Sequence, residues 1–267
     1  MLDTFRSSSK LTKTFTGHTA FACTVDYSTF NDSQLLCSGS WDKTVRIWNT
    51  KTNKQIQSFS GHLSHVYCAK FSSYHYHNHR RNVVCSSSVD KTIRFWDIKD
   101  GRQLQIFHGH VGWVGGIKFS SFNGGRYFCS GSDDKTIHLW DVETSKSLHV
   151  FNGHTRSVWC VDISPSQSNN NMLDESNNIG VIGGNGYTIC SGSWDKTICT
   201  WDIETTKQLV VFKGHKNWIR SVKYGSNKFG TICGANAILS GSDDESVRLW
   251  DIRSGQQIQV FNGHTNQ

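Results

Sequence analysis

The sequence predicts an all-β fold built from five copies of one antiparallel unit, and three observations predict it. Gly-His pairs recur at Gly17-His18, Gly61-His62, Gly109-His110, Gly153-His154, Gly214-His215 and Gly263-His264. Each of the first five is followed by Trp-Asp or a close equivalent: Trp48-Asn49, Trp96-Asp97, Trp140-Asp141, Trp201-Asp202 and Trp250-Asp251. Between them runs one string in five versions, SGSWDKTVRIW, SSSVDKTIRFW, SGSDDKTIHLW, SGSWDKTICTW and SGSDDESVRLW. A repeat of 44 to 61 residues without helical periodicity favours sheet blades over solenoid turns.

Each part of the repeat has a local reason. TVRIW and TIRFW alternate β-branched or aromatic residues with polar ones, the pattern of a strand with one buried face. The Asp-Lys before each such run reads as a tight hairpin turn. QIQSF (55–59), QLQIF (103–107) and QIQVF (257–261) alternate as well and read as short outer strands. KLTKTF, ahead of the first Gly-His, reads as another outer strand, after a polar tail over residues 1–10. The repeats start at about 17, 61, 109, 153 and 214, with a stub at 263, within a segment spanning 11–267. The fourth copy carries an Asn/Gly-rich insertion, residues 164–187, which reads as a loop between its first two strands. Its GVIGGNG stretch lacks the Lys-Ser/Thr and the helix of a phosphate loop. His75, His77 and His79 in the second copy lack a fourth ligand for a structural metal site and read as a solvated loop.

Composition bounds the class. Of 267 residues, 36% are apolar and 12% aromatic, the balance of a folded domain with a core. No apolar run reaches the roughly 18 residues of a membrane span, and residues 1–10 lack a signal-peptide core. Nine cysteines are an odd number without metal-type spacing. Cys37, Cys85, Cys129 and Cys190 share one repeat position, Leu239 in the fifth copy, so the site is an apolar packing site. Reduced cysteines place the protein inside the cell, in cytoplasm, nucleus or both. The net charge of +7 is spread out, since Lys43, Lys91, Lys135 and Lys196 each follow a turn aspartate. The densest basic patch is His79-Arg80-Arg81.

Gly-His, Ser-x-Ser-x-Asp and Trp-Asp together resemble the WD40 repeat family, over nearly the whole chain. The resemblance implies a β-propeller of four-stranded antiparallel blades around a channel. Five full blades, an orphan N-terminal strand and a C-terminal stub do not close a ring, so the count predicts part of a six- or seven-bladed propeller. The resemblance also implies a hydrogen-bonded tetrad in every blade. These are His18, Ser38, Asp42 and Trp48; His62, Ser86, Asp90 and Trp96; His110, Ser130, Asp134 and Trp140; His154, Ser191, Asp195 and Trp201; and His215, Ser240, Asp244 and Trp250. The chemistry is self-consistent: indole only donates, carboxylate only accepts, and serine and neutral histidine do both. A Ser-His-Asp hydrolase is set aside on number. A catalytic set is needed once, beside an oxyanion site, whereas this set occurs five times, with a tryptophan occupying each serine. No catalytic residue, metal or cofactor is expected.

Five further tryptophans fall at three repeat positions that vary between copies. Trp41 and Trp194 precede the turn aspartate, where Val89, Asp133 and Asp243 stand in the other copies. Trp113 and Trp218 lie three residues after the histidine, with Phe21, His65 and Ser157. Trp159 lies five residues after it, with Cys23, Tyr67, Gly115 and Arg220. In WD40 propellers the matching positions line the top face and channel mouth, and Trp, Tyr and Arg are the usual interface hot spots. The resemblance therefore implies a non-catalytic scaffold or adaptor that binds other proteins through its top face. Asp133 and Asp243 on the rim would suit a basic or aromatic side chain, partly by cation–π contact, with weak dependence on salt. The alternatives are a regulatory part of a larger enzyme, and nucleic-acid or phosphoinositide binding through basic loops, which steep salt dependence would mark.

Overall fold

The computed structural model describes residues 13–28, 30, 34–164, 187–225 and 236–263. Most of the 164–187 insertion, residues 10–12 of the N-terminal segment and the end of the stub lie outside the described residues. Residues 13–15 form no strand, although Lys13 Nζ donates to the Thr50 carbonyl (2.6 Å) and Phe15 packs edge-on against Trp48.

Among the described residues, twenty strands form five four-stranded antiparallel sheets. Blade 1 holds β1 (Ala22–Tyr27), β2 (Leu35–Ser40), β3 (Thr44–Asn49) and β4 (Lys54–Ser60). Blade 2 holds β5 (Val66–Phe71), β6 (Val83–Ser88), β7 (Ile93–Asp97) and β8 (Arg102–Phe107). Blade 3 holds β9 (Val114–Phe119), β10 (Tyr127–Ser132), β11 (Thr136–Asp141) and β12 (Lys146–Asn152). Blade 4 holds β13 (Val158–Ile163), β14 (Thr188–Ser193), β15 (Thr197–Asp202) and β16 (Gln208–Lys213). Blade 5 holds β17 (Ile219–Tyr224), β18 (Ala237–Ser242), β19 (Ser246–Asp251) and β20 (Gln257–Asn262). In every blade the strands pair in chain order, as short hairpin connections dictate.

The hairpin turns before β3, β7, β11, β15 and β19 are built alike. Lys43, Lys91, Lys135, Lys196 and Glu245 all take left-handed backbone, with φ between 66° and 72°. The turn aspartate compensates the strain of a non-glycine residue there: its Oδ1 accepts both the backbone N–H and the hydroxyl of Thr44, Thr92, Thr136, Thr197 or Ser246.

The core lies between blades. Four apolar clusters each join two neighbours, for example Cys37, Val45, Ile47 and Phe59 of blade 1 against Val66, Ala69 and Phe71 of blade 2. Each valine, isoleucine or phenylalanine among them, fully buried, contributes about 1.5–3 kcal/mol. The repeated cysteines Cys37, Cys85, Cys129 and Cys190 are fully buried free thiols in these seams. Inner strands pack in series, β1 on β5, β5 on β9, β9 on β13 and β13 on β17, and no packing of that extent joins β17 to β1 among the described residues. The two end faces are correspondingly open. Val25 is 59% exposed where Ala69, Ile117, Val161 and Val222 are at most 8% exposed, and Leu239 is 43% exposed where the four cysteines are buried. The described residues thus form an arc of five blades.

The His75–His79 segment is a correction. It is not a solvated loop but an α-helix, α1 (Ser73–His79), with His75 and Tyr76 buried. Tyr76 stacks on Phe30 and His75 packs against Phe95, which supplies the burial that a short polar sequence does not advertise. No helix among the described residues is long and apolar enough to cross a membrane.

Candidate functional site

The four tetrad side chains meet in every blade. Trp Nε1 donates to Ser Oγ at 2.7–2.8 Å. Ser Oγ meets His Nε2 at 2.7–2.8 Å, and His Nδ1 meets the Asp carboxylate at 2.8 Å. A carboxylate can only accept, so Nδ1 carries the proton and Nε2 accepts from serine. The same Asp oxygen takes the backbone N–H that follows the histidine, at 2.8–3.0 Å. Burial alone would raise these carboxyls, but the hydrogen bonds outweigh it and hold all five well below the usual carboxylate range. The glycine of each of the first five Gly-His pairs lies against the indole: a Cβ there would come within 3.0 Å of the tryptophan ring. With its hydrogen occupied by histidine and its lone pairs facing the indole N–H, the serine is not a free nucleophile.

The tetrads of blades 3 and 4 differ from the other three in their surroundings: in blade 4 the neighbour is Cys199, whose sulfur lies 3.9 Å from His154 Nδ1. Arg46, Arg94 and Arg248 place a guanidinium 3.5–3.6 Å from the tetrad aspartate in blades 1, 2 and 5. Blade 3 has His138 instead, and its ring lies 4.0 Å from that of His110. His110, Asp134 and His138 are the one His/Cys/Asp/Glu group among the described residues with metal-ligand proximity, a grouping that sequence spacing did not reveal. Both His110 nitrogens are already engaged, with Asp134 and Ser130, and His138 Nδ1 with Ser147. A metal there would have to break the tetrad.

The three variable positions converge on one face of the arc, and the backbone explains how. The residue before each turn aspartate donates its N–H to the residue three after the histidine. Trp41→Phe21, Val89→His65, Asp133→Trp113, Trp194→Ser157 and Asp243→Trp218 are all 2.9 Å. The third position falls at a β-bulge in each inner strand, at Cys23, Tyr67, Gly115, Trp159 and Arg220. A bulge re-aims a side chain out of the ladder. All five bulge residues line one cavity of about 310 Å³, together with Trp41, Thr24, Cys68, Gly116 and Cys160.

Around this cavity the aromatic residues form two groups of touching rings. Phe21 packs edge-on against Trp41, which stacks on His65. Tyr67 touches Trp113 and Trp159, and Trp113 touches Trp159 and Trp194. Trp194 stacks on Trp218 with centroids 4.2 Å apart. The Trp194 indole N–H is buried and meets no acceptor among the described residues. Arg220 lies over the rings of Trp159, Trp194 and Trp218 at 5.2–5.8 Å. It is fixed by Asp243, which accepts from its Nε and Nη2 at 2.7–2.9 Å.

Two expectations change here. The aromatic cage is not empty, because the protein's own Arg220 lies at its cation position over Trp159, Trp194 and Trp218. Nor are the acids free: Asp243 is paired with Arg220, and Asp133 accepts from Ser157 Oγ (2.5 Å). These pairings join residues 23 and 24 positions apart, and no local signal in the sequence reports them.

Comparison with known proteins decides the family. The WD40 profile, described as WD domain, G-beta repeat, matches residues 9–49, 53–97, 101–141, 145–202 and 206–251. The chain belongs to the WD40 repeat family. It is also similar to the peroxisomal targeting signal 2 receptors of Mus musculus and Homo sapiens, 38% identical over 55 residues. That match covers 21% of this chain and 17% of each receptor. WD40 repeats generally mediate protein–protein interaction, and the propeller family is generally non-catalytic.

Proposed function

We propose that this chain is a non-catalytic scaffold or adaptor that holds partner proteins on the face bearing these aromatic groups. The observation that carries the reading is convergence. Five bulge residues from five blades line one cavity, and every tryptophan outside the tetrads lies on or beside it. Desolvated aromatic and arginine clusters concentrate binding energy at interfaces. Scaffold parts, in contrast, recur identically in each blade, as the tetrads do. Relatives named as receptors for a targeting signal fit a binding role. The reduced seam cysteines fit an intracellular setting, cytoplasmic or nuclear.

The test is affinity capture from lysate with the wild-type chain and a Trp41→Ala, Trp159→Ala, Trp194→Ala variant. Circular dichroism establishes that both fold alike. The reading expects specific partners to disappear with the variant. Persistence of the same partners moves the site to the blade rims or the 164–187 segment and overturns it.

A further inference from the structure

We propose that the partner group seated at the channel mouth is anionic, a carboxylate or phosphate on an acidic peptide segment that also carries an aromatic residue. This rests on the top-face reading above and reverses the basic side chain that Asp133 and Asp243 on an aromatic rim suggest in the sequence. The first observation is the occupied cage. A guanidinium already covers Trp159, Trp194 and Trp218, so an incoming cation would meet a like charge. The second is the unused hydrogen-bonding capacity of the cavity. Arg220 gives Nε and Nη2 to Asp243, while its Nη1 meets no acceptor among the described residues, and its side chain stays 39% exposed. Arg220 is the one charged residue lining the cavity. Held planar and fixed by Asp243, it offers a preorganised donor to an oxyanion.

The third observation is the distribution of charge on this face. Lys43, Lys91, Lys135, Lys196, Arg156 and Lys216 are exposed on the same turns and loops, against the exposed acid Glu245. The tetrad aspartates are withdrawn beneath them, each engaged by its histidine and a backbone N–H. Asp133, the remaining acid, is half-buried, accepts from Ser157 and does not line the cavity. An acidic segment would thus be drawn in by the lysine ring, anchor an oxyanion on Arg220, and lay its aromatic side chain against Trp41, Tyr67 and Trp159. A peptide is favoured over nucleic acid because the cavity is one compact pocket with one central guanidinium. Single-stranded nucleic acid needs a charged groove that tracks several phosphates.

The probes are fluorescein-labelled peptides alternating phenylalanine with glutamate, phosphoserine or lysine, and a labelled thymidine oligonucleotide. Binding is read by anisotropy at about 50 and about 300 mM salt, which shortens the screening length by about 2.4-fold. The glutamate or phosphoserine peptide is expected to bind about tenfold or more tightly than the lysine peptide, and Arg220→Gln to remove about tenfold of that affinity. Comparing the two acidic peptides tells carboxylate from phosphate. Replacing Lys43, Lys91, Lys135 and Lys196 together by glycine, which suits their left-handed backbone, is expected to flatten the salt dependence without unfolding the chain. Equal or tighter binding of the lysine peptide or the oligonucleotide overturns the proposal, as does an acidic peptide indifferent to Arg220→Gln. If the lysine peptide wins and Trp159→Ala abolishes its binding, the top-face reading survives alone. If no peptide responds to Trp41→Ala, Trp159→Ala or Trp194→Ala, both fall.

Discussion

Removing the serine hydroxyl from one tetrad tests whether these networks hold the blades. In Ser191→Ala, two buried groups lose their partner at once. Trp201 Nε1 donates to Ser191 Oγ at 2.8 Å and His154 Nε2 faces the same oxygen at 2.8 Å. The His154 side chain is 0% exposed and Trp201 is fully buried, so water cannot replace the hydroxyl. An unsatisfied buried polar group costs about 1–3 kcal/mol, so the variant is expected to lose about 2–5 kcal/mol. Ser38→Ala makes the same chemical change in the first blade, where the His18 side chain is 9% exposed and water has access, and about 1–2 kcal/mol is expected there. Urea unfolding followed by circular dichroism and by tryptophan fluorescence measures both, and coincident transitions establish that one free energy describes them. A cost below about 1 kcal/mol for Ser191→Ala, or an equal cost in both blades, would refute the reasoning. In a Trp201→Phe background, where no indole N–H is left to orphan, Ser191→Ala should cost measurably less.

Three further outcomes follow from the same geometry. Burial pushes His75 and His138 down to about 4, below the usual imidazole value, so below about pH 6.5 the unfolded chain binds more protons than the folded one. The stability from keeping them neutral is complete above that pH and falls by about 1.4 kcal/mol per pH unit for each histidine down to pH 4; His138→Arg, copying blades 1, 2 and 5, should flatten the urea midpoint between pH 7 and 5. Gly192 sits where a Cβ would lie 2.5 Å from Ile219 and 2.8 Å from the Cys160 sulfur, so Gly192→Ser should cost about 1–3 kcal/mol in urea unfolding by wedging blades 4 and 5 apart. Lys135 sits at φ 72°, and Lys135→Gly should leave stability unchanged or raise it by up to about 1 kcal/mol, because glycine takes that conformation without strain.

Much of this architecture is local and therefore legible in the chain. The blade count, the hairpin turns and the membership of each tetrad follow from short strings in which spacing sets the strand register. Alternation in TVRIW fixes which face is buried, whereas in QIQSF it does not: Phe59 is buried but Ile56 is 47% exposed. That Trp41, Trp159 and their variable equivalents cluster was visible as repeat positions. What they build was not. The bulges that turn Cys23, Tyr67, Gly115, Trp159 and Arg220 into one cavity depend on two residues opposing one across a ladder, and no residue type marks such a mismatch. The pairing of Arg220 on β17 with Asp243 in the β18–β19 turn, and its seating on Trp159 and Trp194 of blade 4, arise only when these segments meet in the fold. That packing changes the sign of the charge the site would accept. Helix α1 escaped the sequence because its burial comes from Phe30 and Phe95 on other strands and loops. Repeated local hydrogen bonds were thus written in the sequence, whereas the electrostatics of the channel mouth were decided by contacts between distant segments.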